Sequence, residues 1–129
     1  HQPYHEKIVR TLKLVKAGDL EYAFKSANRA AIDELMKLRE GCDDVLIERN
    51  GYVTDSSYCN ILFFDGSKWL TPDKPLLRGT TRQRLIDEQR INEARITVND
   101  LGLFEKFMLV NAMLDFELQR AREMSGIRV

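Results

Sequence analysis

Apolar residues along this chain fall in short runs, broken by turn-forming residues. Residues 8–15 (IVRTLKLV) are rich in β-branched and leucine residues and predict a strand. Ala17-Gly18-Asp19 predicts a turn. Residues 26–39 then predict a helix, because Ala31, Ile32, Leu35 and Met36 recur at three-to-four spacing, with Gly41 as its stop. Asp44–Glu48 (DVLIE) predicts a buried strand, Asn50-Gly51 a hairpin turn and Tyr52-Val53-Thr54 the return strand. Asn60–Phe64 (NILFF), a turn at Asp65-Gly66 and residues 68–71 (KWLT) predict a second hairpin.

Pro72 and Pro75 bracket a loop, and Gly79-Thr80-Thr81 opens a second helix to about Gln89. Ile96-Thr97-Val98 predicts a short strand. Asn99 or Asp100 can cap a short helix through Leu103. Residues 106–110 (KFMLV) predict another buried strand, and 117–124 fit a helix or an irregular end. Hairpins mixed with helices, in no regular alternation, predict an α+β fold rather than a doubly wound parallel sheet. There is no internal repeat and no low-complexity stretch. Neither GxGxxG nor GxxxxGK[ST] occurs, so no nucleotide loop is predicted.

Composition narrows the function classes. With 129 residues the chain fits one domain. Lys plus Arg equals Asp plus Glu at 20 each, so no basic surplus points to nucleic acid. Apolar runs fall short of the ~20 residues of a membrane helix. Cys42 and Cys59, without a CxxC spacing, and two histidines near the start are too few for a metal framework. Reduced thiols in a cytoplasmic protein are expected. The chain opens on His1, so a fragment or shortened form is expected.

Three segments can carry chemistry, and each also has an ordinary reading. Lys25-Ser26-Ala27-Asn28-Arg29 heads the first helix, and a lysine held in a pocket can condense with an aldehyde; it can equally be a surface residue among eight lysines. The polar run 54–60 before NILFF offers Asp55 as a carboxylate for a cationic ring nitrogen, or is simply a loop. Leu77-Arg78-Gly79-Thr80-Thr81-Arg82 offers backbone N–H groups and hydroxyls at a helix N-terminus, suited to a phosphate, or is a plain threonine cap.

Taken together, the order and spacing of these segments resemble the class IV aminotransferases. This is the fold shared by D-amino-acid and branched-chain aminotransferases and 4-amino-4-deoxychorismate lyases. Lys25–Asn28 is similar to the family's K-x-x-N. Gly51–Ile61 is similar to G-x-V-T-E-x-x-x-x-N-[IL], with Asp55 where the pattern has Glu. Thr71-Pro72 matches T-P, and Leu77–Arg82 matches L-x-G-[IVT]-T-R. Arg29 and the Asn111-Ala112-Met113 turn look most like the lyase branch. The resemblance spans about residues 8–115.

It implies the larger domain of that fold, a mixed sheet or barrel with flanking helices, binding pyridoxal 5′-phosphate. Lys25 would carry the cofactor as a Schiff base and shuttle the substrate proton. Asp55 would hold the pyridine nitrogen protonated. Thr80 and Thr81, with Asn111 and Ala112, would bind phosphate, and Ser56 to Asn60 would wall the ring. The implied substrate is an amino or keto acid, and the implied assembly a homodimer. Asp55 is one methylene shorter than Glu, so either the ring sits closer or a water bridges. The family's smaller N-terminal domain, which brings an arginine to the phosphate, is expected to be absent or much reduced here. The competing expectation is a cofactor-free domain of the same fold with a structural or binding role.

Overall fold

Successive side chains of a strand point to opposite faces, so an unbroken apolar run is buried on both. The computed structural model describes residues 9–17 and 29–129. Within them the strands are β1 (Leu12–Lys16), β2 (Asp44–Arg49), β3 (Tyr52–Val53), β4 (Asn60–Phe64), β5 (Trp69–Pro72), β6 (Asn92–Ala94), β7 (Lys106–Val110), β8 (Arg122–Glu123) and β9 (Ile127–Arg128). The α-helices are α1 (Arg29–Met36) and α2 (Thr80–Asp87). Two sheets form, ordered β3-β2-β1-β9 and β6-β5-β4-β7-β8.

Alternation along the strands builds three cores. Leu12 and Leu46 from the first sheet meet Ile61, Phe63, Phe107 and Leu109 from the second in a central cluster. The residues between them face outward. Val15, Val45 and Ile47 pack under Ile32 and Leu35 of α1. Leu62, Met108 and Val110 pack with Trp69 and under Leu85 of α2 and Ile91 just beyond it. The apolar strands NILFF and KFMLV are therefore packed on both faces by described residues. Each helix links a parallel pair, α1 between β1 and β2 and α2 between β5 and β6.

Turn chemistry follows the sequence closely. Asn50 and Gly51 both take positive φ, at 55° and 86°, as a two-residue hairpin between β2 and β3 demands. Asp65 Oδ1 accepts the amides of Ser67 and Lys68, both at 2.8 Å. These bonds, with the nearby Lys68 charge, hold the exposed Asp65 carboxyl below its usual range.

Some predicted boundaries move. α1 ends at Met36, short of the predicted Arg39, and α2 ends at Asp87. Residues 96–98 form no strand: β6 lies earlier, at Asn92–Ala94, and Thr97 makes only a single bridge to Tyr52. The cap of the 3₁₀ turn Val98–Leu103 is Thr97, whose amide donates to Asp100 Oδ2 at 2.9 Å. The tail is neither a helix nor irregular. It forms two 3₁₀ turns and the short strands β8 and β9.

Candidate active site

The described candidate residues sit on three segments, 55–60, 76–81 and 111–114, at one end of the second sheet. Asp55 follows β3 and is pinned by two further ladder bonds. Thr54 N donates to Ile47 O at 2.9 Å, and Ile47 N donates to Asp55 O at 2.8 Å. Its side chain is buried, at 1% exposure. Oδ2 accepts the amides of Leu76 and Leu77, each at 2.9 Å. Oδ1 is buried and finds no partner among the described residues. Burial pushes the Asp55 carboxyl up to about 7, against the pull of the Leu77 and Leu76 amides, the Thr54 hydroxyl and the Arg82 charge. A buried carboxylate oxygen left unmet is costly. A donor with positive charge at Oδ1 would remove that cost, which is what a protonated pyridine nitrogen supplies.

The segment after Asp55 is a tight turn that closes on itself. Ser56 Oγ donates to Cys59 O at 3.2 Å and accepts Cys59 N at 3.1 Å. Ser57 Oγ donates to Asp44 Oδ2 at 3.0 Å. Cys59 is buried, and burial pushes its thiol up to about 11, with Asp44 adding to the effect. Asn60 Nδ2 donates to Leu77 O at 2.7 Å. Ser56 and Asn60 thus direct polar groups into the protein itself.

The helix start and the turn at the end of β7 come together. Gly79 occupies the N-cap of α2 in an extended conformation, and no side chain caps it, so the first-turn N–H groups keep their pull on an anion. Thr81 Oγ1 donates its proton to Asn111 O at 2.9 Å. That hydroxyl holds the turn in place and has no proton left to donate elsewhere. Thr80 is exposed. Asn111 and Leu114 exchange backbone bonds at 3.0 and 3.1 Å, and Asn111 Oδ1 accepts the amides of Met113 and Leu114. Ala112 lies exposed at the tip of that turn.

Lys25 and Asn28 lie outside the described residues. Of the other predicted site residues, Asp55, Asn60, Thr80, Thr81, Asn111 and Ala112 belong to this one end of the fold. Two contributors were not singled out from the sequence. One is the pair of amides of Leu76 and Leu77. The other is Arg82, 1% exposed, whose Nη2 donates to Pro72 O at 3.0 Å and pairs with Glu93 Oε2. It fastens α2 to β5 and β6, and its place after the two threonines was the available signal. Among the described residues no group of His, Cys, Asp and Glu could hold a metal ion, and no helix is long and apolar enough to cross a membrane.

Comparisons with known proteins bear on the family and the fold. The family profile described as amino-transferase class IV matches residues 1–118. An uncharacterised protein of Haemophilus influenzae is 43% identical over 110 residues, covering 85% of this chain and 58% of that protein. A crystal structure from Haemophilus somnus, provisionally assigned as a 4-amino-4-deoxychorismate lyase, superposes with a TM-score of 0.81 at 37% identity. It covers 89% of this chain and 59% of that one. A PLP-bound aminotransferase from Brucella abortus shares the fold, with a TM-score of 0.71 at 18% identity over 88% of this chain and 46% of that one. The chain thus spans a little under three fifths of the length of its two nearer relatives named here. The match over residues 1–118 establishes that the chain belongs to the class IV aminotransferase family.

Proposed function

We propose that this chain is the cofactor-holding part of a pyridoxal 5′-phosphate enzyme acting on an amino compound, with Lys25 as the attachment lysine. The observation that carries the reading is Asp55, buried, held through Oδ2 and without a partner at Oδ1 among the described residues. When bound, the cofactor supplies an electron sink for the bond broken at the substrate's Cα. Asp55 keeps the ring nitrogen protonated, and its one-methylene deficit relative to Glu is met by the ring sitting closer or by a bridging water. The Thr80 hydroxyl and the amides of Thr80, Thr81 and Ala112 bind the phosphate. Lys25 holds and moves the proton at Cα.

Lyase chemistry like that of 4-amino-4-deoxychorismate lyases is favoured by the Haemophilus somnus neighbour, similar over 89% of this chain. Transamination is the second reading, because it begins on the same residues. The working form is a cytoplasmic homodimer acting on an amino or keto acid. A homodimer is the arrangement the family resemblance implies, and both cysteines are free.

Reduction with borohydride in the presence of cofactor, followed by peptide mapping, tests the reading directly. The label is expected on Lys25 and absent from Lys25→Ala. Label on Lys13 or Lys68 rejects the assignment. A protein that stays colourless with added cofactor supports the cofactor-free alternative.

A further inference from the structure

Asn60 is where the separate parts of the site touch. It is 4% exposed and heads β4. Its Nδ2 donates to the Leu77 carbonyl at 2.7 Å. The same stretch supplies the Leu76 and Leu77 amides that grip Asp55 Oδ2 at 2.9 Å. On its other side, a Cβ placed on Gly79 would lie 2.4 Å from Asn60 Oδ1. The N-cap of α2 therefore rests against that oxygen with no room for a side chain. Across the sheet, Asn60 is in register with Val110. The next residue is Asn111, whose carbonyl takes the Thr81 hydroxyl.

One buried amide thus contacts both the loop that aims the acid and the start of the helix beside the anion cup. A primary amide suits this place because it offers a donor and an acceptor on one rigid plane. A carboxylate would face the Leu77 carbonyl without a proton to give, and an aliphatic group would leave that carbonyl unmet.

We propose that Asn60 is a positioning residue that couples the phosphate cup to the aim of the Asp55 carboxylate without touching the cofactor. The proposal rests on the cofactor reading above. Filling the cup settles the N-cap of α2 against Asn60 Oδ1. Asn60 Nδ2 carries the adjustment to the Leu77 carbonyl, and the Leu76–Leu77 amides bring Asp55 Oδ1 into line. By linkage the effect is reciprocal: a ligand at the carboxylate tightens the cup by the same factor.

The test is an amide ¹H–¹⁵N titration of the whole, cofactor-free chain with inorganic phosphate. In the wild type the Thr80, Thr81 and Ala112 amides are expected to move, and the Leu76 and Leu77 amides to move with the same midpoint. In Asn60→Asp and Asn60→Ser the first group still moves while Leu76 and Leu77 stay. Saturating phosphate should also tighten pyridoxal, which lacks the phosphate, on the order of fivefold in the wild type and not in the variants. Silent Thr80, Thr81 and Ala112 amides would reject the phosphate cup itself. A responsive cup with silent Leu76 and Leu77 in the wild type overturns the coupling. So does equal movement in wild type and variants, and the wild-type arm decides even if a variant does not fold.

Discussion

Two buried aspartates stand at the two ends of the β2–β3 hairpin, and the protein treats them differently. Asp44, at the head of β2, has both oxygens occupied: Oδ1 accepts Val45 N at 2.7 Å, and Oδ2 accepts Ser57 Oγ at 3.0 Å. Asp55, just past β3, has one oxygen gripped by two amides and the other bare among the described residues. The first is closed within the fold and needs nothing more. The second carries an unmet cost that a ligand would relieve. Burial alone does not mark a working acid; a fixed carboxylate with one buried oxygen left unmet among the described residues does.

The sharpest way to break this contrast is to neutralise each acid in turn. Asp55→Asn is expected to lower turnover of the whole enzyme by roughly 100-fold or more, the scale of losing one preorganised electrostatic contact. Steady-state kinetics measure it, and unchanged turnover removes Asp55 from the reaction. The same substitution has a signature without cofactor. The folded carboxyl is raised from 3.8 to about 7, so the native chain binds the extra proton between those values. Its stability should therefore fall as pH rises from 3.8 to about 7. Denaturant melts across that range should show a flatter dependence for Asp55→Asn than for wild type.

Asp44→Ala should act on the fold and spare the chemistry. Losing the acceptor for Val45 N and Ser57 Oγ is expected to cost about 1–3 kcal/mol, read from the denaturation midpoint, with cofactor trapping on Lys25 retained. Gly79→Ala probes the link between the regions, since its Cβ would press on Asn60 Oδ1. About 1 kcal/mol of destabilisation is expected from the crowding, together with weaker binding of the phosphorylated cofactor than of pyridoxal. Smallest is a third acid, Asp115, exposed and paired with Arg84. The Phe116 amide and then the Arg84 contact lower its pKa, yet solvent screens it. Asp115→Asn should leave the melting temperature within the scatter of repeat scans.

Much of this was legible in the residues. Asn50-Gly51 fixes a hairpin because both positions need positive φ, and the unbroken runs NILFF and KFMLV require cover on both faces. Asp55 could be singled out from its place in a patterned run. Its two amide partners could not, because every residue but proline carries the same N–H and only the folded loop decides which ones converge. The tail resisted for a related reason. β8 and β9 are two residues long and owe their existence to distant partners, not to local propensity. Lys25 lies outside the described residues, so its position is tested by the trapping experiment alone.

The pairing of β9 with β1 has a kinetic consequence. Leu12 lies beside Ile127, Lys13 beside Arg128, and Lys13 Nζ reaches the Val129 carbonyl across 116 residues of sequence. Contacts of such separation form late, after the intervening chain has already been ordered. Until then β1 has one unpaired edge, with free backbone donors and acceptors able to recruit a strand from another molecule. Refolding should therefore show a slow closing phase whose competitor is concentration-dependent association along that edge.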